Sequence, residues 1–423
     1  MRSTRHSPRS ASRTGLACAT DRGEMKFWGI TGTNGKTTTT WIFAEFVNAW
    51  GAQLRARERV SEAERADGRA PLCGYITTVE AFDGARHFYT GYTTPPLARL
   101  KEIYAAMEAN GCTDCVMEVS SHAIHQNRVG FGEVTSFSGG AFTNISEDHL
   151  DYHKTMEEYF RVKLSFAERI ARENSSGKAP PFAVCIDGEG GERMYEACRK
   201  IPGLDVFPVS AKPAVFDLSR LQLVGDYNKS NVALAAALAL VAGVPYDAIQ
   251  RTIPTLAPRW GRLERVANPA VKAAVYVDFA HTPDGLEKVL SAARGFTPQG
   301  GRLWVVFGAG GDRDPMKRPL MGEACAKLAD SLVVTSDNPR SEDPAKIIDA
   351  IIEGVKRASA KPSLVRVEPD RREAISFALA NAGFSDVVII AGKGHETTQE
   401  IAGVKYPFDD REVVRSFSKL APR

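Results

Sequence analysis

The residues best equipped for chemistry form one short run, Thr31-Gly32-Thr33-Asn34-Gly35-Lys36-Thr37, placed between a strand-like apolar segment and a helical one. Glycines let backbone N–H groups approach phosphate oxygens closely. A lysine can reach the β- and γ-phosphates, and a hydroxyl can ligate Mg²⁺. Strand, glycine-rich turn and helix in that order make nucleotide binding the expected role of the run and of the adjoining Thr38. The spacing departs from the generic phosphate loop, because Ile30 rather than glycine stands five residues before Gly35.

Further along, Glu118 closes a predicted strand, a common position for a carboxylate that meets Mg²⁺ in such folds. The run Asp148-His149-Leu150-Asp151-Tyr152-His153 concentrates two histidines and two aspartates in six residues. These residue types also cap helices and close turns, and of the two histidines His149 is the stronger functional candidate. Lys163 falls on a predicted helix, where a solvated or snorkelling lysine is the usual reading. Cys112 and Cys115 have redox or zinc spacing, but no second pair stands nearby, so both are read as structural.

The elements needed to position these residues follow a βαβ rhythm. Lys26–Thr31, Asp114–Val119, Ala183–Ile186, Val275–Phe279, Leu303–Phe307, Ser331–Thr335 and Val387–Ala391 read as strands, and a further strand-like run ends in Ala141–Asn144. Thr37–Trp50, Glu157–Ile170, Lys229–Ala242, Asp284–Arg294, Met316–Ala329, Ala345–Lys356 and Arg372–Asn381 read as helices. The span between Ile186 and Gly225 offers few strand candidates, and Arg55–Arg69 reads as a solvated helix or loop. The rhythm breaks around Pro254–Arg262, where two prolines and a Trp-Gly pair mark a domain boundary. The expected fold is α/β, a mostly parallel sheet with helices on both faces and a second, smaller α/β domain.

Bulk properties narrow the function. The 423 residues are 43% hydrophobic and 25% charged, ordinary for a globular chain of two or three domains. The net charge is only +3, and five arginines against two acidic residues in the first 24 account for it. The rest is balanced, which argues against nucleic-acid binding by charge. Seven scattered cysteines do not form a secreted disulfide framework. No apolar run approaches the ~20 residues that span a bilayer, and residues 1–24 lack the apolar core of a secretory signal. A cytoplasmic enzyme with an Arg/Ser-rich, disordered, non-catalytic tail at 1–24 is expected, with no membrane or nucleic-acid partner.

Taken together, Thr31–Thr39 (TGTNGKTTT), Met117–His122, Phe142–His153, the Asn228/Asn231 pair and Asp278–Leu286 resemble the Mur ligases, which build the peptide of bacterial cell-wall precursors. The resemblance runs from about Met25 to the C-terminus. It is greatest to the members that add meso-diaminopimelate, through Gly310–Asp314, Asp337-Asn338-Pro339-Arg340 and Ala391–Glu396. It implies a central P-loop ATPase domain over 25–257 and a smaller Rossmann-like, amino-acid-binding domain over 258–423. ATP and two Mg²⁺ sites follow, with Thr37, Glu118, His149 and a carbamylated Lys163 as metal ligands. Catalytic roles fall on Lys36, Glu118, His149 and Lys163. Nucleotide contacts fall on Gly32, Thr33, Asn34, Gly35, Lys36, Thr37, Thr38, Asn144, Asn228, Asn231, Arg262 and Asp278. Substrate contacts fall on Thr93, Thr94, Ser120, Arg128, His281, Arg313, Asp337, Asn338, Arg340, Gly392 and Glu396. An arginine can clamp a carboxylate bidentately and an acidic group can hold the distal ammonium, which suits an amine that carries both.

The implied reaction is ATP-dependent amide formation through an acyl phosphate, by a monomer acting on small molecules. The family's uridine-gripping N-terminal domain has no counterpart in residues 1–24, so the acceptor stays open. It is either UDP-N-acetylmuramoyl-L-alanyl-D-glutamate or a UDP-free acid such as a recycled peptide, a secondary metabolite or a folate-like glutamate. Folylpolyglutamate synthetases also lack that domain, but the Asp-Asn-Pro-Arg motif argues against that identity. A non-catalytic ligase relic is the third class, and the intact set Lys36, Thr37, Glu118, His149 and Lys163 weighs against it.

Overall fold

Apolar runs long enough to be buried on both faces become the central strands of two sheets. The computed structural model describes residues 24–57, 70, 72–131, 134–174, 177–187, 189–212, 215–360 and 362–418. The expected tail, apart from Glu24, and residues 58–69 of the charge-rich stretch lie outside them.

The first sheet has eight strands: β1 (Lys26–Thr31), β2 (Cys73–Ile76), β3 (Ala81–Phe82), β4 (His87–Phe88), β5 (Asp114–Glu118), β6 (Phe137–Phe142), β7 (Pro181–Cys185) and β8 (Asp205–Val209). Their spatial order is β4-β3-β2-β5-β1-β6-β7-β8. β1 pairs in parallel with both β5 and β6. The loops leaving β1, β5 and β6 therefore open side by side at the carboxyl edge, where ligands bind in open α/β sheets. Helices Lys36–Arg57 and Asp226–Val241 cover one face and Met156–Glu173 the other, giving one apolar core on each side. Asp226–Val241 is rich in alanine and buried nearly all round, as a helix packed between neighbours must be.

The second sheet holds β9 (Glu264–Arg265), β10 (Ala274–Asp278), β11 (Leu303–Phe307), β12 (Ser331–Val334), β13 (Leu364–Val367) and β14 (Val387–Ala391), in the order β13-β12-β11-β14-β10-β9. All pairings are parallel except β9 with β10. Cores again lie on both faces. A separate hairpin joins β15 (Thr398–Ile401) to β16 (Val404–Pro407).

Some elements differ from the sequence expectation. The Ile186–Gly225 span, thought poor in strands, carries helix Glu189–Cys198 and edge strand β8. β8 is mostly solvent-facing, so it lacks a continuous apolar signature. The β2–β4 meander and helix Leu97–Ala109 were also not foreseen; β3 and β4 are two residues each, too short for a periodic signal. Helix Lys36–Arg57 runs beyond the expected Trp50. Cys112 and Cys115 are buried free thiols, and burial pushes both up from their ordinary range, which leaves them unreactive. No helix among the described residues is long and apolar enough to cross a membrane.

Candidate active site

The phosphate loop is a turn that only glycine can build. Gly35 sits at φ +83°, and a Cβ there would lie 2.3 Å from Asn231 Oδ1; at Gly32, φ +147°, it would lie 1.9 Å from Thr143 Oγ1. The loop is pinned from β6. Asn144 Oδ1 accepts from Asn34 N at 3.0 Å, Asn144 Nδ2 donates to Asn34 O at 3.0 Å, and Thr143 Oγ1 donates to the same carbonyl at 2.6 Å. Gly35→Ala is expected to weaken binding of a non-hydrolysable ATP analogue by about 10–100-fold in a calorimetric titration, from strain of order 1–3 kcal/mol. Unchanged affinity would contradict this geometry.

Lys36 Nζ folds back on its own loop, donating to Gly32 O at 3.0 Å and Thr33 O at 2.8 Å. Burial lowers its pKa, while Glu118 and Asp148 oppose the shift. Thr37 Oγ1 receives a hydrogen bond from Arg262 Nη2 at 3.2 Å, across from the linker between the sheets. Arg262 itself lies 4.6 Å over the Phe279 ring. Asp278 accepts Leu263 N at 2.6 Å and Ala280 N at 2.7 Å, so it fixes the linker and the turn after β10 together. Asn34 Nδ2 donates to Asp284 Oδ2 at 2.7 Å, a second bond that joins the loop to the other sheet's side. Asn228 and Asn231 are linked at 3.4 Å on helix Asp226–Val241.

Glu118 is fully buried at the end of β5, and its carboxylate accepts Thr78 N at 2.8 Å and Thr78 Oγ1 at 3.2 Å. Thr78 Oγ1 also reaches Thr93 Oγ1 at 3.0 Å. His149 is held in the left-handed region at φ 58°. Burial depresses its pKa to about 3 against the opposing Asp148, 3.5 Å away, which keeps the imidazole neutral and able to donate a lone pair. His153 is instead buried under helix Ser121–His125, with Nε2 2.9 Å from Ser121 Oγ.

Lys163 corrects the snorkelling reading. It is 1% exposed, donates to Gly32 O at 2.7 Å and lies 4.4 Å over the Tyr159 ring. Burial, with the Lys36 charge adding to it, holds its amine well below the ordinary lysine range, against Asp148.

The carboxyl ends of β11, β12 and β14 form the opposite wall. Asp337 is buried, its Oδ1 has no hydrogen-bond partner among the described residues, and burial pushes its pKa up against Arg371 and Lys393. Asn338 Nδ2 donates to Glu396 Oε2 at 2.9 Å. Lys393, fully buried, donates to Glu396 Oε2 at 3.0 Å and to Thr398 O at 2.6 Å. Arg340 is left-handed at φ 52° and donates to Gly311 O at 2.5 Å. Arg313 Nη1 donates to Asp312 O at 3.1 Å.

One cleft of about 400 Å³ runs between the two walls. The sequence-derived residues that line it are Thr33, Asn34, Gly35, Lys36, Thr37, Thr38, Thr93, Glu118, Ser120, His149, Asn228, Asn231, Arg262, Asp278, His281, Arg313, Asp337, Asn338, Arg340, Gly392 and Glu396. Gly32, Thr94, Arg128, Asn144 and Lys163 do not line it. Gly32 and Asn144 shape the loop from behind. Thr94 Oγ1 donates to Glu118 O at 2.8 Å, and Arg128 Nη1 donates to Thr94 O at 3.2 Å, so both support the β5 end. Sequence reasoning assigned no role to the cleft-lining Thr78, Asp148, Asp314 and Lys317. Thr78 follows the unforeseen β2, while Asp148 and Asp314 stood inside runs already singled out. No group of three or more His, Cys, Asp or Glu among the described residues forms a ready metal cage. Oxygen donors from Thr37 and Glu118 in one polar cleft nevertheless suit a hard cation that keeps several waters and takes substrate phosphates.

Comparison with known proteins identifies the family. Residues 30–200 match the Mur ligase middle domain, and residues 261–394 match the Mur ligase glutamate ligase domain. The chain is 36% identical over 416 residues to UDP-N-acetylmuramoyl-L-alanyl-D-glutamate--2,6-diaminopimelate ligase 1 of Clostridium acetobutylicum, covering 94% of this chain and 78% of that protein. It is 39% identical over 402 residues to the corresponding ligase of Aquifex aeolicus, covering 92% and 76%. A solved structure of a UDP-N-acetylmuramoyl-L-alanyl-D-glutamate--2,6-diaminopimelate ligase superposes with a TM-score of 0.56 at 30% identity, over 93% of this chain and 78% of that one. A Mycobacterium tuberculosis folylpolyglutamate synthase shares the fold, with a TM-score of 0.59 at 19% identity over 88% of this chain and 89% of that one. The chain belongs to the Mur ligase family.

Proposed function

We propose that this protein is the ATP-dependent ligase that adds meso-diaminopimelate to UDP-N-acetylmuramoyl-L-alanyl-D-glutamate, acting in the cytoplasm as a monomer, with a nucleotide-binding unit over 25–257 and an amine-binding unit over 258–423. The observation that carries this reading is the shared cleft, which sets a phosphate loop opposite a wall carrying Arg313, Arg340, Asp337 and Glu396. Cations and carboxylates on one wall are the complement of an amine that bears carboxylates and a second ammonium.

In this reading the loop's backbone N–H groups cradle the phosphates, and Lys36 leaves the Gly32 and Thr33 carbonyls to meet them. Thr37, Glu118 and His149 would hold Mg²⁺, which supplies charge neutralisation at the phosphoryl oxygens. The acceptor's carboxylate attacks the γ-phosphorus of ATP, giving an acyl phosphate and ADP. The amine then attacks the acyl carbon and phosphate departs. Asn34–Asp284 and Arg262–Thr37, two of the contacts between the walls, favour a closed cleft that keeps water from the acyl phosphate. Lys163 suits the carbamate role because a neutral buried amine is the form that adds CO₂, and the resulting carboxylate would serve a second cation.

The amine site is tested by phosphate release with different amines. Meso-diaminopimelate is expected to be preferred over L-lysine by at least about 100-fold, since one amine then leaves the Arg340 side without its carboxylate. Arg340→Ala is expected to raise the KM for diaminopimelate about 10–100-fold with the KM for ATP unchanged. Equal turnover of the two amines by the wild-type protein would overturn the assignment.

A further inference from the structure

An amino group enters the cleft as an ammonium and must lose a proton before it can attack a carbonyl. Arg313, Arg340 and Lys317 are cations, and Glu396 is engaged by Asn338 and Lys393. His281 differs from all of these. Its Nδ1 lies 2.9 Å from the Phe279 carbonyl oxygen. A carbonyl can only accept, so the proton of the neutral ring sits on Nδ1, and Nε2 carries the free lone pair. His281 lines the cleft, and no hydrogen bond from a described residue occupies Nε2.

The backbone around this ring is rigid. Asp278 accepts Ala280 N at 2.7 Å, and Thr282 caps helix Pro283–Phe296 by accepting Gly285 N at 3.1 Å. The Phe279 ring meets the imidazole edge-on at 4.6 Å between centroids. His281 is thus fixed at the end of β10, in a cleft whose lining runs from Lys36 on one wall to Arg313 on the other.

From this geometry we propose that His281 is the proton acceptor for the attacking amine, an inference that rests on the ligase reading above. The N–H bond of the ammonium breaks as Nε2 takes the proton, and the freed nitrogen lone pair forms the C–N bond to the acyl carbon. The C–O bond to phosphate then breaks with its electron pair, the departing phosphate carries off the second surplus N–H proton so that a neutral amide remains, and the imidazolium returns its proton to solvent. The charged groups facing His281 are Lys317 at the start of helix Lys317–Leu328, Asp148 ahead of Leu150, and Arg262 on the linker. Burial lowers the ring's pKa, Lys317 and Arg262 adding to the shift while Asp148 opposes it, so the ring is neutral and competent across neutral pH. The same cations hasten the return of the proton.

The test compares two amines on the full-length protein with ATP and acceptor. Diaminopimelate needs deprotonation, whereas hydroxylamine is already unprotonated at neutral pH and traps acyl phosphates as hydroxamates. His281→Gln is expected to lower kcat with diaminopimelate by about 100-fold or more, with its KM moved less than about threefold, while hydroxamate formation falls less than about threefold. Equal losses with both amines, no loss with diaminopimelate, or a rise in KM alone would overturn the proposal. Nitrogen NMR on ¹⁵N-histidine-labelled protein, with the variant identifying the His281 signal, reads the tautomer without turnover. An Nδ1–H tautomer is expected, and an Nε2–H tautomer would overturn the proposal whatever the kinetics. A wild-type protein that makes hydroxamate yet ignores diaminopimelate would remove the ligase reading, and the proposal with it.

Discussion

Lys36→Ala is expected to lower ATP-dependent phosphate release by about 1,000-fold or more, because no other side chain on the loop carries a positive charge to the phosphates. The ammonium meets only the Gly32 and Thr33 carbonyls, and both belong to the same loop. Its removal therefore costs little fold stability, and the melting temperature should stay within about 2 °C of wild type. Phosphate release and a thermal melt on the same preparation separate the two effects. Near-wild-type turnover would remove the phosphate loop from the chemistry, and a large drop in melting temperature would show that Lys36 is structural.

Asp410→Ala carries the largest expected stability effect. Arg371 and Asp410 are both fully buried, and their side chains pair in a fork, Nε to Oδ1 at 2.8 Å and Nη2 to Oδ2 at 2.7 Å. Removing the carboxylate leaves an unpaired buried guanidinium, a loss of about 3–5 kcal/mol. At roughly 2–4 °C per kcal/mol for a unit of this size, the melting temperature should fall by about 6–20 °C. The effect reaches the site, because Arg371 Nη2 also donates to Ala391 O at 2.9 Å, immediately before Gly392. A Cβ on Gly392 would lie 2.8 Å from Asp337 Oδ2, so this turn has little room to shift. The double variant Arg371→Met with Asp410→Leu should recover much of the lost stability, since apolar replacement removes both desolvation penalties. A double variant no more stable than the single one would contradict this account.

How much was legible in the sequence depended on how local each signal was. Leu303–Phe307 and Val387–Ala391 were read residue for residue, because strands buried on both faces are continuous apolar runs bounded by polar or glycine residues. β3, β4 and β8 escaped notice, since a two-residue strand has no period and an exposed edge strand has no apolar run. The phosphate loop was legible because its glycines, lysine and threonines are contiguous. The contacts that complete the cleft are not: Arg262 reaches Thr37 across 225 residues, and Asn34 reaches Asp284 across 250. Helix position alone suggested a solvated or snorkelling Lys163, since it says nothing about the carbonyl beneath it; only the family resemblance pointed to the site. The buried Lys393, paired to Glu396, stood inside the run Ala391–Glu396 but received no role, because its pairing is set by the turn after β14.

The most direct test of the central claim is ATP-dependent phosphate release by the purified protein, with meso-diaminopimelate as amine. The acceptor is UDP-N-acetylmuramoyl-L-alanyl-D-glutamate in one reaction and the same peptide without UDP in the other. The account predicts rapid release with the UDP-linked acceptor, dependent on both substrates and absent from Lys36→Ala. Equal or faster release with the UDP-free peptide would contradict the proposed acceptor, and silence with both would contradict the ligase assignment itself.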